Sequence, residues 1–507
     1  MYSMVMTAAN RGLESVCIQV EADVSDGLPV FDMVGFLSSE VREARERVRT
    51  ALHNCGYRVP AKRITVNLSP ADVKKSGSGF DLPVAVAILA ALGEIKKEML
   101  NNTLVLGEIS LNGRIQPIRG ILPTVAKAKE TGIKRCLLPC ANKAEAELIP
   151  DMEIWAVETL QELVMCMRKG CYTPKPAVSC DKGTQKEAEP DFSEINGQAA
   201  VKRACEVAVA GMHNFLMIGP PGSGKTMTAR RIPGILPPMT AEEQMEVSKV
   251  YSICGMLPQK DSLMDRRPFR SPHHTISPNG LSGGGSIPKP GEISLAHKGV
   301  LFLDELPEYK KSTLEILRQP MEDKQITLVR QSGIYRYPAD FMLVAAMNPC
   351  KCGYFPDRGR CQCQEAEVAR YLGRISKPLK DRIDICIQAP VLCYDDLEGG
   401  GVNEPSYKIR SRVLAALERQ KSRFAGTGIS CNSQIPAKDI KKYCVLDAGQ
   451  QKYMKEMYQR LRLSARGYYK ILKTALTIAD LEGGAKIKDC HLNEAVCYRL
   501  QDQKYWG

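Results

Sequence analysis

The sequence predicts an α/β protein with a parallel sheet in its central part and a helical region at its C-terminus. Three apolar segments, at 214–218, 299–303 and 341–347, are predicted strands that alternate with helical patterns, and each leads to a polar residue of a type that takes part in chemistry. Because the carboxyl ends of parallel strands lie along one edge of a sheet, we expect these polar residues to meet there.

The 507 residues are too many for one ordinary core and predict about three or four units. Residues 1–170 mix apolar segments with helical patterns and are predicted to form an α/β or α+β domain. Within it, Arg63–Leu68 and Leu104–Ile109 are predicted strands, and Leu82–Leu92 is a predicted buried helix. Residues 171–192, rich in prolines, charges and small polar side chains, are predicted to be a linker.

The central domain, 193–395, carries the predicted parallel sheet, and the C-terminal domain, 396–507, is predicted to be helical. Its predicted helices are Ile409–Phe424, Gln450–Leu461, Ala465–Leu481 and Asp489–Leu500. The composition, 44% hydrophobic and 25% charged, is that of a globular protein. No apolar run reaches the roughly 18 residues of a membrane span, and we see no leader pattern, so we expect no membrane contact and a cytoplasmic location.

Charge and cysteine content indicate partners only in broad terms. A formal net charge of +13 favours polyanions such as nucleic acid, although a basic solvated surface has the same charge. The 19 cysteines are predicted to be free thiols or metal ligands rather than disulfides, because the expected location is reducing.

The segment after the first central strand matches the phosphate-binding pattern G-x-x-x-x-G-K-[ST] and precedes a predicted helix. Its residues are Gly219, Pro220, Pro221, Gly222, Ser223, Gly224, Lys225 and Thr226. The glycines allow backbone N–H groups to surround a phosphate, and the helix N-terminus adds positive potential. Lys225 is predicted to reach the β and γ phosphates of ATP, and the Thr226 hydroxyl is predicted to bind Mg²⁺.

The other two strands lead to residues that would complete a hydrolytic site. Asp304 and Glu305 follow the second strand, and two adjacent carboxylates can have different roles in hydrolysis. We expect Asp304 to hold Mg²⁺ and its water, and Glu305 to act as general base on the attacking water. Asn348 follows the third strand and is predicted to lie between the other two strand ends, where it would orient that water near the γ phosphate.

Arginines outside the sheet are candidates for contact with the nucleotide. Arg382 lies in the short apolar segment Leu379–Asp384, where it would be offered to the γ phosphate of a neighbouring subunit. Arg374 is the rival candidate, and an ordinary surface ion pair is the alternative. Arg466, at the start of a C-terminal helix, is the candidate second sensor of the nucleotide.

Two segments are predicted to project from the core. The interval between Lys225 and Asp304 is long for one helix and one strand, so it is predicted to contain an insertion. A β-hairpin with strands Ile326–Arg330 and Ile334–Tyr337 is predicted to have arginines and tyrosines near its tip. Such side chains suit contact with a nucleic-acid backbone and stacking on bases, but an ordinary surface hairpin has the same pattern.

A cysteine-rich loop directly follows Asn348. Its C-x-C…C-x-C set comprises Cys350, Cys352, Cys361 and Cys363. Four thiols in one short loop are a candidate tetrahedral Zn²⁺ site. Since C-x-C is less usual for zinc than C-x-x-C, free thiols are the alternative.

The segments GPPGSGKT, FRSPHHTIS, GEISLAHKGVLFLDELPE, AAMNPCKCG and PLKDRIDI resemble the magnesium-chelatase-like YifB/ComM family of bacterial proteins, and the resemblance extends from about Tyr2 to Leu500. It implies a P-loop AAA+ module of the helix-2-insert group, an N-terminal domain similar to the Lon protease domain, and a C-terminal helical lid. In that group the inserts line the pore of a hexamer. The resemblance also implies a DNA-dependent ATPase, with relatives that act as helicases and promote branch migration during natural transformation.

The N-terminal domain departs from the protease that it resembles. Lon-type proteases use a serine–lysine dyad, and Leu122 stands where the resemblance would place the lysine. Ser78 lies in the segment Gly77–Pro83 that replaces the serine segment, without an obvious lysine partner. The nearby Lys74 and Lys75 keep a peptidase alternative open.

Four functions remain as alternatives from sequence. The leading expectation is a hexameric ATP-driven DNA translocase that binds ATP and Mg²⁺ between subunits, with Arg382 supplied by the neighbour. A chelatase-type motor would share the same ATPase core, but the full Lon-like domain is not expected there. An ATP-dependent protease is a third alternative. The fourth is an ATPase switch or scaffold, which would hydrolyse ATP without stimulation by DNA.

Overall fold

A computed structural model describes residues 1–173, 190–257, 262–285, 287–331, 333–391, 403–484 and 486–506. Most of the predicted linker, 171–192, therefore lies outside the described residues. The strands of the N-terminal part are β1 (Tyr2–Arg11), β2 (Glu14–Ser25), β3 (Phe31–Val34), β4 (Arg63–Ser69), β5 (Thr103–Val105), β6 (Glu108–Ile109), β7 (Ile115–Gln116), β8 (Arg135–Pro139) and β9 (Glu153–Val157). Its helices are α1 (Ser39–Asn54), α2 (Asp81–Ala91), α3 (Ile121–Glu130), α4 (Lys143–Glu147) and α5 (Leu160–Lys169).

The N-terminal part is built on a mixed sheet with the strand order β3-β4-β2-β1-β5-β8-β9. Strands β1 and β2 form a long antiparallel pair, and β5, β8 and β9 continue the sheet in parallel from β1. Helix α2 is buried at every position and contacts β1 and β2, which confirms the predicted buried helix. The predicted strand at 63–68 is β4.

The prediction of one strand over Leu104–Ile109 is wrong. The segment forms β5 and β6, which belong to different sheets, and the chain turns between them at Gly107, where φ is +155°. A Cβ atom on Gly107 would lie 2.9 Å from Leu82 Cδ2, so the turn brings the backbone against α2. The apolar pattern continues through this turn, and periodicity alone therefore does not reveal it.

The central part contains α6 to α14 and β10 to β18. Its strands are β10 (Phe215–Ile218), β11 (Phe269–Arg270), β12 (Gly283–Gly284), β13 (Lys289–Pro290), β14 (Val300–Leu303), β15 (Gln325–Arg330), β16 (Gly333–Pro338), β17 (Met342–Met347) and β18 (Ile385–Gln388). Its helices are α6 (Ala199–Gly211), α7 (Lys225–Arg231), α8 (Ala241–Cys254), α9 (Pro278–Ser282), α10 (Glu292–Leu295), α11 (Lys311–Glu315), α12 (Arg318–Asp323), α13 (Glu365–Leu372) and α14 (Lys377–Lys380).

A five-stranded parallel sheet with the order β11-β14-β17-β10-β18 forms the core of the central part. Strands β10, β14 and β17 are fully buried, as expected for a parallel sheet covered on both faces. They correspond to the three predicted strands. Strand β17 lies between β14 and β10, so its last residue is flanked by the ends of both neighbours.

The two predicted projections pack against the N-terminal part. The backbone N–H of Gly120, which precedes α3, donates to the Ser252 carbonyl in α8 at 3.1 Å. Strands β15 and β16 form the predicted antiparallel hairpin, and a Cβ atom on Gly12 would lie 3.2 Å from the carbonyl oxygen of Arg336. Part of the insertion therefore packs against the N-terminal part and does not extend into solvent.

The C-terminal part is helical, as predicted. It consists of α15 (Ser406–Arg423), α16 (Ile440–Tyr443), α17 (Ala448–Arg460), α18 (Ala465–Leu481) and α19 (Asp489–Trp506). Its apolar side chains join one hydrophobic cluster with α6, β10 and β17. Across the described ranges, none of the helices combines the length and the apolar character that a membrane-spanning helix requires.

Candidate nucleotide-binding site

The glycine-rich loop connects β10 to α7 and holds the lysine at the start of that helix. Gly222 and Gly224 both have a φ of +77°, a conformation that glycine adopts without the steric penalty of a Cβ atom. The Lys225 ammonium donates to the carbonyls of Gly219 and Pro220, both at 2.8 Å, and lies 3.2 Å from Asn348 Oδ1. The loop thus folds around the buried end of Lys225.

Lys225 is a buried cation with neutral partners. The side chain is 9% exposed, and within the described part of the chain its hydrogen-bond acceptors are carbonyl, hydroxyl and amide oxygens. Burial lowers the pKa of Lys225 to about 8, and the Asp304 carboxylate offsets part of that shift. The ammonium is desolvated and has no carboxylate in contact. Binding of a phosphate in place of the carbonyl oxygens would therefore lower its free energy.

Thr226 and Asp304 face each other across the end of β14. The Thr226 hydroxyl donates to Asp304 Oδ2 at 2.6 Å, and the backbone N–H of Glu305 donates to Asp304 Oδ1 at 2.9 Å. A hydroxyl and a carboxylate are hard oxygen ligands, which Mg²⁺ prefers alongside water and phosphate oxygens. These two side chains therefore fit a magnesium ion.

Glu305 directly follows Asp304, and its own φ is +50°. Its side chain is 57% exposed, and Oε2 lies 3.4 Å from His274 Nδ1. The rings of His273 and His274 are 4.1 Å apart, and Tyr309 donates to the Pro272 carbonyl at 2.6 Å. A carboxylate that is accessible to water beside a phosphate loop can take a proton from that water.

The carboxyl ends of the three central strands bring most of the predicted residues together. Asn348 follows β17 and contacts Lys225, while Asp304 and Glu305 follow β14 and the loop follows β10. These groups form one edge of the sheet, which we call the phosphate-loop edge.

Two residues at this edge were missed from sequence. His274 contacts Glu305, and Gln198 donates to the Ser223 carbonyl at 3.2 Å and to the Pro390 carbonyl at 2.8 Å. Both lie far from the loop in sequence, so spacing gives no signal for their contacts. The His-His pair within FRSPHHTIS was the one cue available for His274.

Arg382 and Arg466 lie at the opposite edge of the same sheet. The carbonyl of Arg382 accepts from Asn214 Nδ2 at 2.9 Å, and Asn214 directly precedes β10. Both arginines contact Glu322 Oε1, Arg382 at 2.7 Å and Arg466 at 3.2 Å. Strand β10 has four residues and is about 13 Å long, so these arginines are separated from the loop of their own chain.

Arg374, the rival of Arg382, has a different position. It lies 2.8 Å from Glu308 Oε2 and donates to the Pro307 carbonyl at 3.1 Å, close to the end of β14. Its side chain is 45% exposed, whereas that of Arg382 is 11% exposed. Arg374 is therefore beside the phosphate-loop edge of its own chain.

A buried ion pair fixes the C-terminal helices to the amino edge of the sheet. Asp384, just before β18, lies 2.8 Å from Lys470 Nζ of α18 and accepts the Asn214 N–H at 2.9 Å. Burial raises the pKa of Asp384, but Lys470 and the nearby His213 outweigh this and hold it well below its ordinary value. Asp384 is therefore ionised at neutral pH, and it anchors α18 beside Arg382.

The four predicted zinc ligands lie together. The Cys350 Sγ is 3.3 Å from that of Cys352 and 3.7 Å from that of Cys361, and Cys352 and Cys361 are 3.5 Å apart. Cys363 completes a group whose four sulfur atoms all lie within 4.8 Å of one another. All four are free cysteines, so the set is compatible with a metal site.

Ser78 and the two lysines that kept the peptidase alternative open do not form a dyad among the described residues. Ser78 donates a hydrogen bond to Glu108, and the buried Lys75 ammonium donates to the Pro70 carbonyl. Leu122 is fully buried. Ser78 and Lys74 both line a cavity of about 370 Å³ between the N-terminal and central parts, but no hydrogen bond joins these two described residues.

Comparison with known proteins places this architecture in a family. Three family models match: magnesium chelatase, subunit ChlI, over residues 191–397; subunit ChlI of Mg-chelatase, over 20–142; and its C-terminal region, over 403–499. The YifB protein of Salmonella typhimurium is 40% identical over 505 residues, covering 99% of this chain and 97% of that protein. The competence protein ComM of Haemophilus influenzae is 38% identical over 501 residues, covering 98% and 97%.

The chain belongs to the magnesium-chelatase-like YifB/ComM family. Its N-terminal part is also similar to Lon protease 2 of Bacillus subtilis, at 31% identity over 146 residues, or 27% of this chain and 26% of the protease. Membership of the YifB/ComM family supports an AAA+ ATPase, and the name ComM links one relative to competence.

Proposed function

We propose that the protein is an ATP-driven DNA translocase or helicase that works as a hexamer in the cytoplasm and promotes branch migration in DNA uptake and recombination. Its central part is then an AAA+ module of the helix-2-insert group, with a C-terminal lid and an N-terminal domain of the Lon type that lacks peptidase activity. The observation that carries the proposal is the convergence of Lys225, Thr226, Asp304, Glu305 and Asn348 at one edge of a parallel sheet.

At this edge the chain's own residues perform hydrolysis of the β–γ phosphoanhydride. The loop from Gly219 to Thr226 surrounds the phosphates, and Lys225 balances their charge. Glu305 accepts a proton from water, the water oxygen attacks the γ phosphorus, and the bond to the bridging oxygen breaks. Asn348 orients that water. Thr226 and Asp304 would hold Mg²⁺, which would supply positive charge beside the β and γ phosphates.

Arg382 and Arg466 act on a nucleotide of the neighbouring subunit in this proposal. Their position at the amino edge of the sheet, about one strand length from the loop of their own chain, supports contact across an interface. Release from Glu322 would free Arg382 to reach a γ phosphate, and hydrolysis would then depend on assembly. Arg374 stays the alternative because it is more exposed.

DNA is the proposed track because the hairpin β15–β16 presents basic side chains. Arg330 and Arg336 are exposed on opposite strands, and the net charge of the chain is +13. Tyr337 is not available for stacking, since it is 1% exposed and donates to the Pro288 carbonyl at 2.6 Å. Tyr337 therefore does not take part in stacking, and the exposed arginines support contact with phosphates.

The test is the ATPase rate with and without single-stranded, duplex and forked DNA. We expect stimulation by DNA that falls at high salt, because phosphate contacts release counterions. Glu305→Gln should bind ATP and lose turnover by about 10²-fold or more, whereas Glu456→Gln, on the exposed face of α17, should behave like the wild type.

A paired substitution locates the DNA contact. Arg330→Ala with Arg336→Ala should keep basal hydrolysis and lose the stimulation, while the matched pair Arg45→Ala with Arg49→Ala, exposed on α1, should keep both. Hydrolysis that no DNA affects would contradict the translocase. That result would favour the alternative of a chelatase-type or protein-remodelling motor, and the description of the matching family model, magnesium chelatase, supports the first of these.

A further inference from the structure

The four cysteine sulfur atoms have the spacing of a tetrahedral thiolate site. Zinc–sulfur bonds of 2.3 Å in a tetrahedron place sulfur atoms about 3.8 Å apart. The separations among the sulfur atoms of Cys350, Cys352 and Cys361 are 3.3, 3.7 and 3.5 Å, which are longer than a disulfide bond and close to this tetrahedral spacing. Cys363 lies within the same group.

A backbone N–H donor and a partly buried setting surround the sulfur atoms. The backbone N–H of Phe355 donates to Cys350 Sγ at 3.4 Å, a contact of the kind that orients metal ligands. Cys350 and Cys361 are buried, and a buried thiolate group needs a counter-charge. A divalent ion with a preference for sulfur ligands would supply it, and zinc meets that condition without redox chemistry.

The cysteine loop reaches the nucleotide site at two points. Cys350 follows Asn348 by two residues, so the first ligand is attached almost directly to the residue that contacts Lys225. Gly353 packs on the glycine-rich loop so closely that a Cβ atom there would lie 2.4 Å from Pro221 Cδ. Movement of the cysteine loop would therefore displace both Asn348 and Pro221.

The same loop also contacts the last helix. The rings of Phe355 and Tyr505 are 6.3 Å apart, and just beyond the loop Trp506 Nε1 donates to the carbonyl of Leu372, the last residue of α13, at 3.1 Å. Cys350, Cys361 and Tyr505 belong to one hydrophobic cluster. The cysteine loop thus lies between the phosphate-loop edge and the end of α19.

We propose that the four cysteines bind one Zn²⁺ ion as thiolates and that the zinc-bound loop positions Asn348 and Pro221 for hydrolysis. Four thiol protons leave to solvent when the metal binds, and no oxidant or reductant is needed. The cysteines are positioning residues, since they do not contact the nucleotide. The zinc assignment stands on the sulfur geometry alone, whereas the positioning role rests on the proposed nucleotide site.

Metal content is measured first, on the full-length protein purified without chelators. We expect one zinc per chain, and Cys361→Ser with Cys363→Ser should lose it, whereas Cys497→Ser, an exposed cysteine on α19, should keep it. A wild-type protein without zinc after growth in zinc-supplemented medium would overturn the assignment, and so would an iron–sulfur chromophore.

The positioning role is tested by nucleotide binding and turnover at known zinc content. Removal of zinc from the wild type with a mercurial reagent and a chelator should lower kcat about 10-fold or more, with a smaller change in the Kd for a fluorescent ATP analogue. Return of zinc after thiol treatment should restore kcat, which separates positioning from irreversible unfolding. Unchanged kcat and Kd after complete removal would overturn the positioning role.

Gly353→Ala separates the metal from the contact that it supports. The added Cβ meets Pro221, and φ at Gly353 is +87°, where alanine is strained, so the loop should shift against Pro221. This variant should keep one zinc per chain through its four ligands and still bind nucleotide more weakly than the wild type. Wild-type affinity in Gly353→Ala would contradict the contact. If the wild type did not hydrolyse ATP at all, the proposed function would fail, while zinc content and nucleotide affinity would still decide this inference.

Discussion

The two edges of the central sheet hold their charged groups in different ways. At the phosphate-loop edge, Lys225 is buried among neutral oxygens, and Glu305 is exposed to water. At the opposite edge, Asp384 is paired with Lys470, and Arg382 with Glu322. The first edge is arranged to accept an anion, whereas the charged groups of the second are already paired. In our proposal the contact between Arg382 and Glu322 opens before Arg382 acts on a neighbouring nucleotide.

The difference shows why one edge alone is not the whole site in our proposal. The phosphate-loop edge has a base, a cation and oxygen ligands for a metal. Among the described residues, Arg382, which would stabilise the negative charge that develops on the γ phosphate, lies at the other edge. A second copy of the chain would bring the two edges together. A heterologous interface, of the kind that closes into a ring, joins two different surfaces of the same chain.

Removal of Arg382 is expected to have the largest effect on turnover. Arg382→Ala should lower kcat by about 10³-fold with little change in the Kd for ATP, because an arginine supplied to the γ phosphate acts in the transition state. Arg374→Ala is the matched variant and should reduce kcat much less. If the two variants exchanged these effects, Arg374 would replace Arg382 in the account.

Removal of Asp384 should affect folding rather than chemistry alone. Asp384→Ala leaves Lys470 buried without its partner, which should lower the free energy of unfolding by about 3 kcal/mol or more. Glu418→Ala, at an exposed position of α15, should change it little. Chemical denaturation of both variants measures the difference, and equal stabilities would show that the ion pair does not anchor α18.

The same pair predicts the direction of acid sensitivity. The folded pKa of Asp384 lies below its unfolded value of about 3.9, so its contribution to stability is present above that pH. As pH falls below about 3.9, the unfolded state takes up the proton first, and the contribution is lost. In Asp384→Ala this part of the acid sensitivity should be absent.

The smallest predicted effect is on the pH dependence of nucleotide affinity. Since the pKa of Lys225 is about 8 without nucleotide, the lysine is charged below that pH and binds phosphate best there. Affinity for ATP should fall as pH rises above about 8, by at most about tenfold per pH unit. Lys225→Arg should bind more weakly but show no such fall, because a guanidinium stays charged. A flat wild-type profile up to pH 10 would contradict the assignment of this pKa.

The sequence predicted the phosphate-loop edge better than the opposite edge, for a physical reason. The loop, Asp304 and Asn348 each follow an apolar strand directly, so local pattern and parallel pairing together indicate that they meet. The contacts of Glu322 with Arg382 and Arg466 join three distant segments, and no spacing encodes them. The same limit hid Gln198 and His274, while the turn at Gly107 was hidden by a continuous apolar pattern.

The most direct test of a site shared by two edges is a mixing experiment with two inactive variants. Glu305→Gln keeps Arg382, and Arg382→Ala keeps Glu305, so a mixed ring should contain intact sites at about a quarter of its interfaces. We predict that equal amounts of the two proteins, unfolded and reassembled or co-expressed, recover ATPase activity in the presence of DNA that neither has alone. Mixed oligomers that form and stay inactive would contradict the account.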